Sequence, residues 1–505
     1  MQKLTWSVLF LVISAVELKT NPKIVVVGAG MAGIGAATQL RELGFTDVTL
    51  LEASEEIGGR INKAQLGKAW IDTGAQYIHG VVETNPVYCL AKKHGLLDDV
   101  LKEEGSWSIF TDKGSKISQK FAENLYMAGE KILEKEIDSC DNNTMGHYFA
   151  EEAQKLTDNW NGDTENKNLT SSILGKLGKD LLVTIGASDL NNVSLCSWQH
   201  FSDEMKGDMD IGGNMFLLPS KLLEDFPKEN ILLKKPVSRI EWDGSFSAPD
   251  ARTYPVRVHL LDGGEILADH VVVTISLGCL KAQASSLFSP HLPEDKVHAI
   301  NHLEFGSITK IFLEYEEPFW ESDVSEISLL WEDESQFLMK ADPNQWLKSL
   351  HLFTVMRPRE KFGNVLIGWC AGRVGNHIET MSEEELSAAV TDHLRAFTRN
   401  SSLPAPKKVL QTQWQSNPFT RGAYTYIPVG TDPHEMDKLA LPLSGSKGTE
   451  PDLQVLFAGE GTIKTLYSTV QGALVSGRRE AERLAQHHRR TGGPLVVCPF
   501  SSDHY

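Results

Sequence analysis

The chain has 505 residues, 41% hydrophobic and 23% charged, a globular composition too long for one core, so two interwoven domains are expected. A formal charge of −18 excludes a nucleic-acid partner, which would need a basic face. The same acidity suits simple solubility and a polycationic substrate equally, because a negative field concentrates cations.

At the N-terminus, Lys3 precedes an apolar run from Leu4 to Val16, and the small residues Ser14 and Ala15 lead into polar sequence. This pattern predicts a secretory signal peptide over residues 1–20, cleaved near Ala15. The run is too short for a comfortable membrane span, and no other segment is long and apolar enough for one. Sequons at Asn142, Asn168, Asn192 and Asn400 agree with secretion, and the terminal Ser502-Asp503-His504-Tyr505 is not a peroxisomal address. The ordered chain is expected from Asn21. Lys23 to Val27 reads as a strand, Ala32 to Leu43 as a helix and Val48 to Leu51 as a second strand, together a βαβ unit. Asp138 to Thr170 reads as a polar loop, and Gly244 to Pro255 interrupts two strand-like runs. Ser382 and Glu385 form a capping-box pattern that opens an amphipathic helix to about Arg399. Ser444 to Pro451 leads into a last strand, Gln454 to Ala458, and the tail beyond His487 is expected to fray. The cysteines at 89, 140, 196, 279, 370 and 498 include no CxxC and no metal-ligand spacing. They exclude a zinc or dithiol site and leave disulfide pairing open.

The first βα turn carries the most specific signal. Gly28, Gly30 and Gly33 form a GxGxxG at the strand-to-helix turn, and Glu52 ends the second strand 19 residues after Gly33. Gly28 permits the tight turn, Gly30 lets a pyrophosphate approach the backbone, and Gly33 allows close helix–strand packing. The helix N-terminus then stabilises phosphate charge. A carboxylate at Glu52 accepts ribose hydroxyls and repels a 2′-phosphate, which favours FAD or NAD over NADP. The sequence then runs from Glu52 into a second glycine turn, Gly58-Gly59-Arg60.

That continuation resembles the flavin-containing amine oxidase superfamily, where the GGR segment lies against the FAD pyrophosphate. The likeness runs from about Lys23 to Leu484 and is closest to the animal polyamine oxidases (spermine and N1-acetylpolyamine oxidases). Asp72-Thr73-Gly74-Ala75-Gln76-Tyr77-Ile78-His79-Gly80 is similar to the family's E-x-G-A-x-W-I-H-G stretch along flavin and substrate, with Asp72 and Tyr77 departing from it. The resemblance implies that His79 and Asp72 position or discharge the substrate amine. Gly306 to Glu314 resembles the strand whose lysine holds a water at flavin N5, which implies a catalytic Lys310. Alternation puts Ile308, Lys310 and Phe312 on one strand face. Trp414 to Tyr426 places Trp414 beside the cofactor and Tyr424 as an aromatic wall before the flavin. Ala423 stands where monoamine oxidases carry the cysteine that attaches FAD, so the flavin is expected to be noncovalent. Leu456 to Gly461 with Tyr467 to Gly477 resembles the C-terminal FAD signature. It implies Glu460 at the ribityl chain, Val470 N–H at the flavin carbonyl, and Thr469 at the second cage position. Val237 matches the strand residue whose backbone meets adenine. Asp203 and Glu204 are weaker candidates for distant ammonium contacts.

The expected fold class is therefore mixed α/β. A Rossmann-like FAD-binding domain of the glutathione-reductase type (21–95, 205–300, 440–490) is interwoven with a mixed-sheet-plus-helices substrate domain (96–204, 301–439), and 491–505 form a tail. The expected activity is FAD-dependent oxidation of a secondary amine of a polyamine by O2, giving an aldehyde, a shorter amine and H2O2, with no metal. A secreted L-amino-acid or monoamine oxidase and a non-catalytic flavin-binding protein are the rival readings. An L-amino-acid oxidase needs an arginine for the substrate carboxylate, which the sequence does not place. A histone lysine demethylase would carry a helical insertion and an N-terminal helical module, and neither is present.

Overall fold

The computed structural model describes residues 21–97, 105–135, 143–160, 164–198, 207–332, 340, 342–446 and 452–490. The leader, Cys140, the Asn142 sequon, Asp203, Glu204 and the tail with Cys498 lie outside the described residues.

Ile24–Val27 is all β-branched and fully buried, as a strand covered on both faces requires. It lies inside a six-stranded sheet in the order Leu443–Ser444, Leu453–Phe457, His270–Val273, Ile24–Val27, Val48–Leu51, Ile231–Leu232. All neighbours pair parallel except the first two. The helix Met31–Glu42 covers this sheet, and the C-terminal helix Val470–Arg490 packs directly on it. Small residues make that approach possible: a Cβ on Gly477 would fall 1.9 Å from Ala32 O. A four-stranded sheet built from residues 237–289 completes this layer.

A second, seven-stranded sheet runs Lys408–Gln411, Ile308–Tyr315, Asn364–Ala371, Leu352–Val355, Val324–Leu330, Ser106–Thr111, Lys116–Ile117. Alternation sorts its faces. Ile311 and Leu313 pack under the helix Glu383–Thr398 through Leu386, Val390, Leu394 and Phe397. That helix starts at Ser382 with both bonds of a capping box and ends at a left-handed Arg399, as its sequence predicts. Ile308 faces the opposite way, toward the helix Thr164–Ile185.

The polar stretch from 138 to 170 is not one loop. Within it Met145–Asn159 is helical, capped by Thr144 Oγ1, which accepts from His147 N–H at 3.0 Å. Met145, Phe149 and Ala153 repeat every fourth residue and are buried, a stripe diluted by the surrounding acidic and amide residues. Cys89, Cys279 and Cys370 are free thiols, whereas Cys196 is held in a disulfide. No helix among the described residues is long and apolar enough to cross a membrane, and no group of ligating side chains among them could hold a metal.

Candidate active site

One cavity of about 2380 Å³ joins the two sheets, running from the first glycine turn to the strand Ile308–Tyr315 and on among the helices beyond. At its dinucleotide end, Gly28 has φ +104°, and a Cβ on Gly33 would lie 1.8 Å from Gly28 O. The turn therefore closes only with glycine at both positions. Gly30 bridges to Gly58, which brings the second glycine turn and Gly59 against the first. Glu52 is buried, accepting from Ala29 N–H at 2.8 Å and from Ser54 N–H and Oγ at 2.8 Å each. The Lys235 N–H donates to Glu52 O at 2.8 Å and thereby brings Val237 to the cavity wall.

The helix Met31–Glu42 begins without a side-chain cap, so its first N–H groups stay open to anionic oxygens. A Cβ on Gly459 would meet nothing within 4 Å. These openings, with a carboxylate at Glu52 and two facing glycine turns, fit a dinucleotide flavin. Arg60 crosses to the C-terminal segments, donating to Glu460 Oε1 at 2.9 Å and to Ala423 O at 2.6 Å. Val470 opens the last helix at the cavity wall.

The reacting end centres on Lys310. Its Nζ donates to Gln76 Oε1 at 2.5 Å, Gly74 O at 2.6 Å and Asp72 O at 3.3 Å, and lies 4.8 Å from the Trp369 ring centroid. Burial pulls its ammonium down to about 8, against the attraction of the Asp72 and Asp210 carboxylates. Trp414 and Tyr424 also line the cavity. The Tyr424 hydroxyl donates to Val183 O at 2.8 Å, and burial pushes that phenol up. His79 reaches the cavity on a short strand, its Nδ1 2.8 Å from Asp208 Oδ1, with its side chain 40% exposed.

Two expected residues have their side chains engaged by the protein itself. Asp72 is absent from the cavity wall, because its carboxylate accepts from Met215 N–H at 3.1 Å and Phe216 N–H at 2.8 Å. It fixes the turn Met215–Leu217, and only its main-chain oxygen meets Lys310. Burial raises this carboxyl to about 6, opposed by the Phe216 N–H and the Lys310 charge. Thr469 does line the cavity, yet its hydroxyl caps the last helix, accepting from Gly472 N–H at 2.9 Å and donating to Leu466 O at 2.7 Å. It therefore sets the helix end at the cavity wall. Sequence reasoning passed over Gln76, whose Nε2 donates to Asp210 Oδ2 at 3.0 Å, so that its oxygen is turned toward Lys310. It also missed Trp369, which only strand register brings opposite Lys310.

The model of a known family, the flavin containing amine oxidoreductases, matches residues 31–485. The chain belongs to this family. It is accordingly an FAD-dependent amine oxidase. It is 37% identical over 487 residues to the Bos taurus peroxisomal N(1)-acetyl-spermine/spermidine oxidase, covering 92% of this chain and 94% of that one. The Homo sapiens protein of the same name is 35% identical over 490 residues, with 93% and 96% covered. A probable polyamine oxidase 5 of Arabidopsis thaliana is 28% identical over 547 residues, with 92% and 98% covered. In this amine oxidase the residues that would hold the flavin are those of the two glycine turns with Glu52, Arg60, Val237, Glu460 and the Val470 helix end.

Proposed function

We propose that the protein oxidises a secondary amine of a linear polyamine with O2, releasing an aldehyde, a shorter amine and hydrogen peroxide. The observation that carries this reading is the length of the cavity, which continues well past Lys310 between Trp369, Tyr126 and Trp107. A compact monoamine would leave that arm empty, and a long flexible cation would fill it. The names of the matched animal oxidases support the same substrate class.

Bound FAD supplies the acceptor for the hydride equivalent and its return to O2. The chain contributes orientation and proton management. The reacting nitrogen must be neutral for its lone pair to assist C–H cleavage. His79, hydrogen-bonded to Asp208 and half exposed, is placed to receive the proton an ammonium sheds on entry. Lys310, buried and lowered to about 8, holds or yields a proton at Nζ. Tyr424 and Trp369 exclude water from the reacting end, where both are at the wall. We assign segments 21–95, 205–300 and 440–490 to cofactor binding, and 96–204 with 301–439 to substrate binding. In support, the six- and four-stranded sheets draw on the first set alone and the seven-stranded sheet on the second.

Purified protein is expected to be yellow, to give up its flavin on acid denaturation, and to release peroxide with spermine, spermidine or their acetylated forms but not with leucine. Peroxide from leucine alone would overturn the substrate assignment. A secretory location is proposed with it. Asn168, Asn192 and Asn400 are all exposed, and Cys196 is in a disulfide. Secreted protein should therefore shift in mobility on endoglycosidase treatment, and an unshifted band from a secreting host would refute glycosylation. The peroxisomal label in the names of the animal relatives is the competing location.

A further inference from the structure

The seven-stranded sheet gives the cavity a floor whose geometry is set by register. Lys310 pairs with Trp369 on the next strand. Trp369 Nε1 donates to Thr354 Oγ1 at 3.1 Å on the strand after that. Thr354 pairs with Glu326, and Glu326 with Trp107. Residues directly opposite one another share a sheet face, and all five line the same cavity. Thr354 pairs with Ile367, two residues from Trp369, so Glu326 lies three strand steps across and two residues along from Lys310, roughly 16 Å between backbones at about 4.8 Å per step and 3.4 Å per residue.

Glu326 differs from the acidic residue beside it. The Asp180 carboxylate is occupied by Lys176 Nζ at 2.9 Å, Tyr126 Oη at 2.9 Å and His351 Nε2 at 2.8 Å. In Glu326, Lys176 (3.3 Å) and Ser328 Oγ both approach Oε1. Its Oε2 accepts from no described residue, and the side chain is 21% exposed, at the cavity wall. The neighbouring Trp107 and Tyr126 rings, edge to face at 5.8 Å, supply π surface of the kind that favours a cation. Lys176 sits in the same cluster between the two carboxylates of Asp180 and Glu326, so a cation that reaches Oε2 from the cavity side meets one acid in excess of the lysine.

We propose that Glu326 is the far-end anchor of the substrate, taking an ammonium through Oε2 across a backbone span of about 16 Å from Lys310 and thereby selecting linear polyamines by length. The inference rests on the polyamine reading and deepens it. A substrate with its reacting amine near Lys310 and its next cation too close would leave Glu326 unmatched. One long enough would place a second ammonium against it.

The test uses the FAD-loaded full chain and a series of α,ω-diamines from diaminobutane to diaminododecane, with monoamines of equal length as controls. Binding is read by calorimetry, independently of turnover. In wild-type protein affinity should step upward, on the order of 30-fold, at the length that spans Lys310 to Glu326, and the monoamines should show only a smooth rise. In Glu326→Gln the step should vanish while short diamines bind as before. A smooth rise for wild-type diamines that parallels the monoamines overturns the anchor without recourse to any variant. So does a step that survives in Glu326→Gln. Absence of peroxide with every polyamine would instead sink the substrate reading, leaving the length series to judge Glu326.

Discussion

Lys310→Met should slow turnover by on the order of 10²-fold or more while FAD remains bound. The lysine is buried on its strand, and its three hydrogen bonds go to two main-chain oxygens and to Gln76, none of them part of the dinucleotide end. Methionine fills a similar volume, so the cavity wall survives and the proton-carrying atom is removed. The pH dependence separates this from a packing defect. Because burial pulls Lys310 down to about 8, its neutral form grows in as pH rises through that value, and a limb of the wild-type rate profile should turn there. The limb should be missing in the variant. Stability carries the same sign. The unfolded chain binds the lysine proton up to its ordinary 10.5 and the folded chain only to about 8. Stability attributable to Lys310 therefore increases with pH between those values, and the methionine variant should lose that increase. Stopped-flow flavin reduction and reoxidation, with melts at pH 7 and pH 9.5, check both. Wild-type kinetics in Lys310→Met would remove Lys310 from the chemistry.

The parts legible in the sequence were those fixed by local geometry. Gly28, Gly33 and Glu52 declare themselves because a strand, a tight turn and a helix must follow one another within a few residues, and the structure closes that turn against Gly58. The capping box at Ser382 is equally local. What escaped depends on partners distant along the chain. Asp72 has the chemistry of a substrate-facing acid, but a turn 143 residues on claims its carboxylate. Trp369 and Glu326 are unremarkable within their own strands and become neighbours of the site only through cross-strand register. Lys176 and Asp180, which sequence reasoning does not single out, form an i, i+4 pair on the helix Thr164–Ile185. Docking that helix over the sheet turns the pair inward to the cavity. Gln76 stood inside a recognised motif at a position that looked like filler, and its amide orientation is set by Asp210, far away in sequence.

Glu460→Ala should cost the protein most of its hold on FAD. The Glu460 side chain is only 5% exposed. It accepts from Arg60 at 2.9 Å, Thr425 Oγ1 at 3.0 Å, Thr425 N–H at 3.3 Å and Ser468 N–H at 3.0 Å. One carboxylate thus ties together the second glycine turn, the loop after Ala423 and the entry to the C-terminal helix. Truncation leaves the Arg60 charge without its acidic partner, and the buried Thr425 N–H and half-buried Ser468 N–H without their acceptor. Breaking a fully buried pair from one side costs about 3–5 kcal/mol, and with the Arg60 side chain 26% exposed the lower end applies. If about 3 kcal/mol of that falls on the cofactor site, FAD affinity drops on the order of 100-fold. Ser468, held at φ +66°, loses the acceptor of its N–H and keeps only its hydroxyl bond to Thr425 O. Reconstitution of apoprotein, followed by quenching of flavin fluorescence, measures the loss. Glu460→Gln keeps an acceptor for Ser468 and forfeits the negative charge facing Arg60, so its affinity should fall between wild type and Glu460→Ala. Removing Arg60 as well distinguishes a pair from two separate contacts: Glu460→Ala made in an Arg60→Met background should cost less than it does alone, because no guanidinium is left stranded. Additive losses would mean that Glu460 acts through Ser468 and Thr425 by themselves.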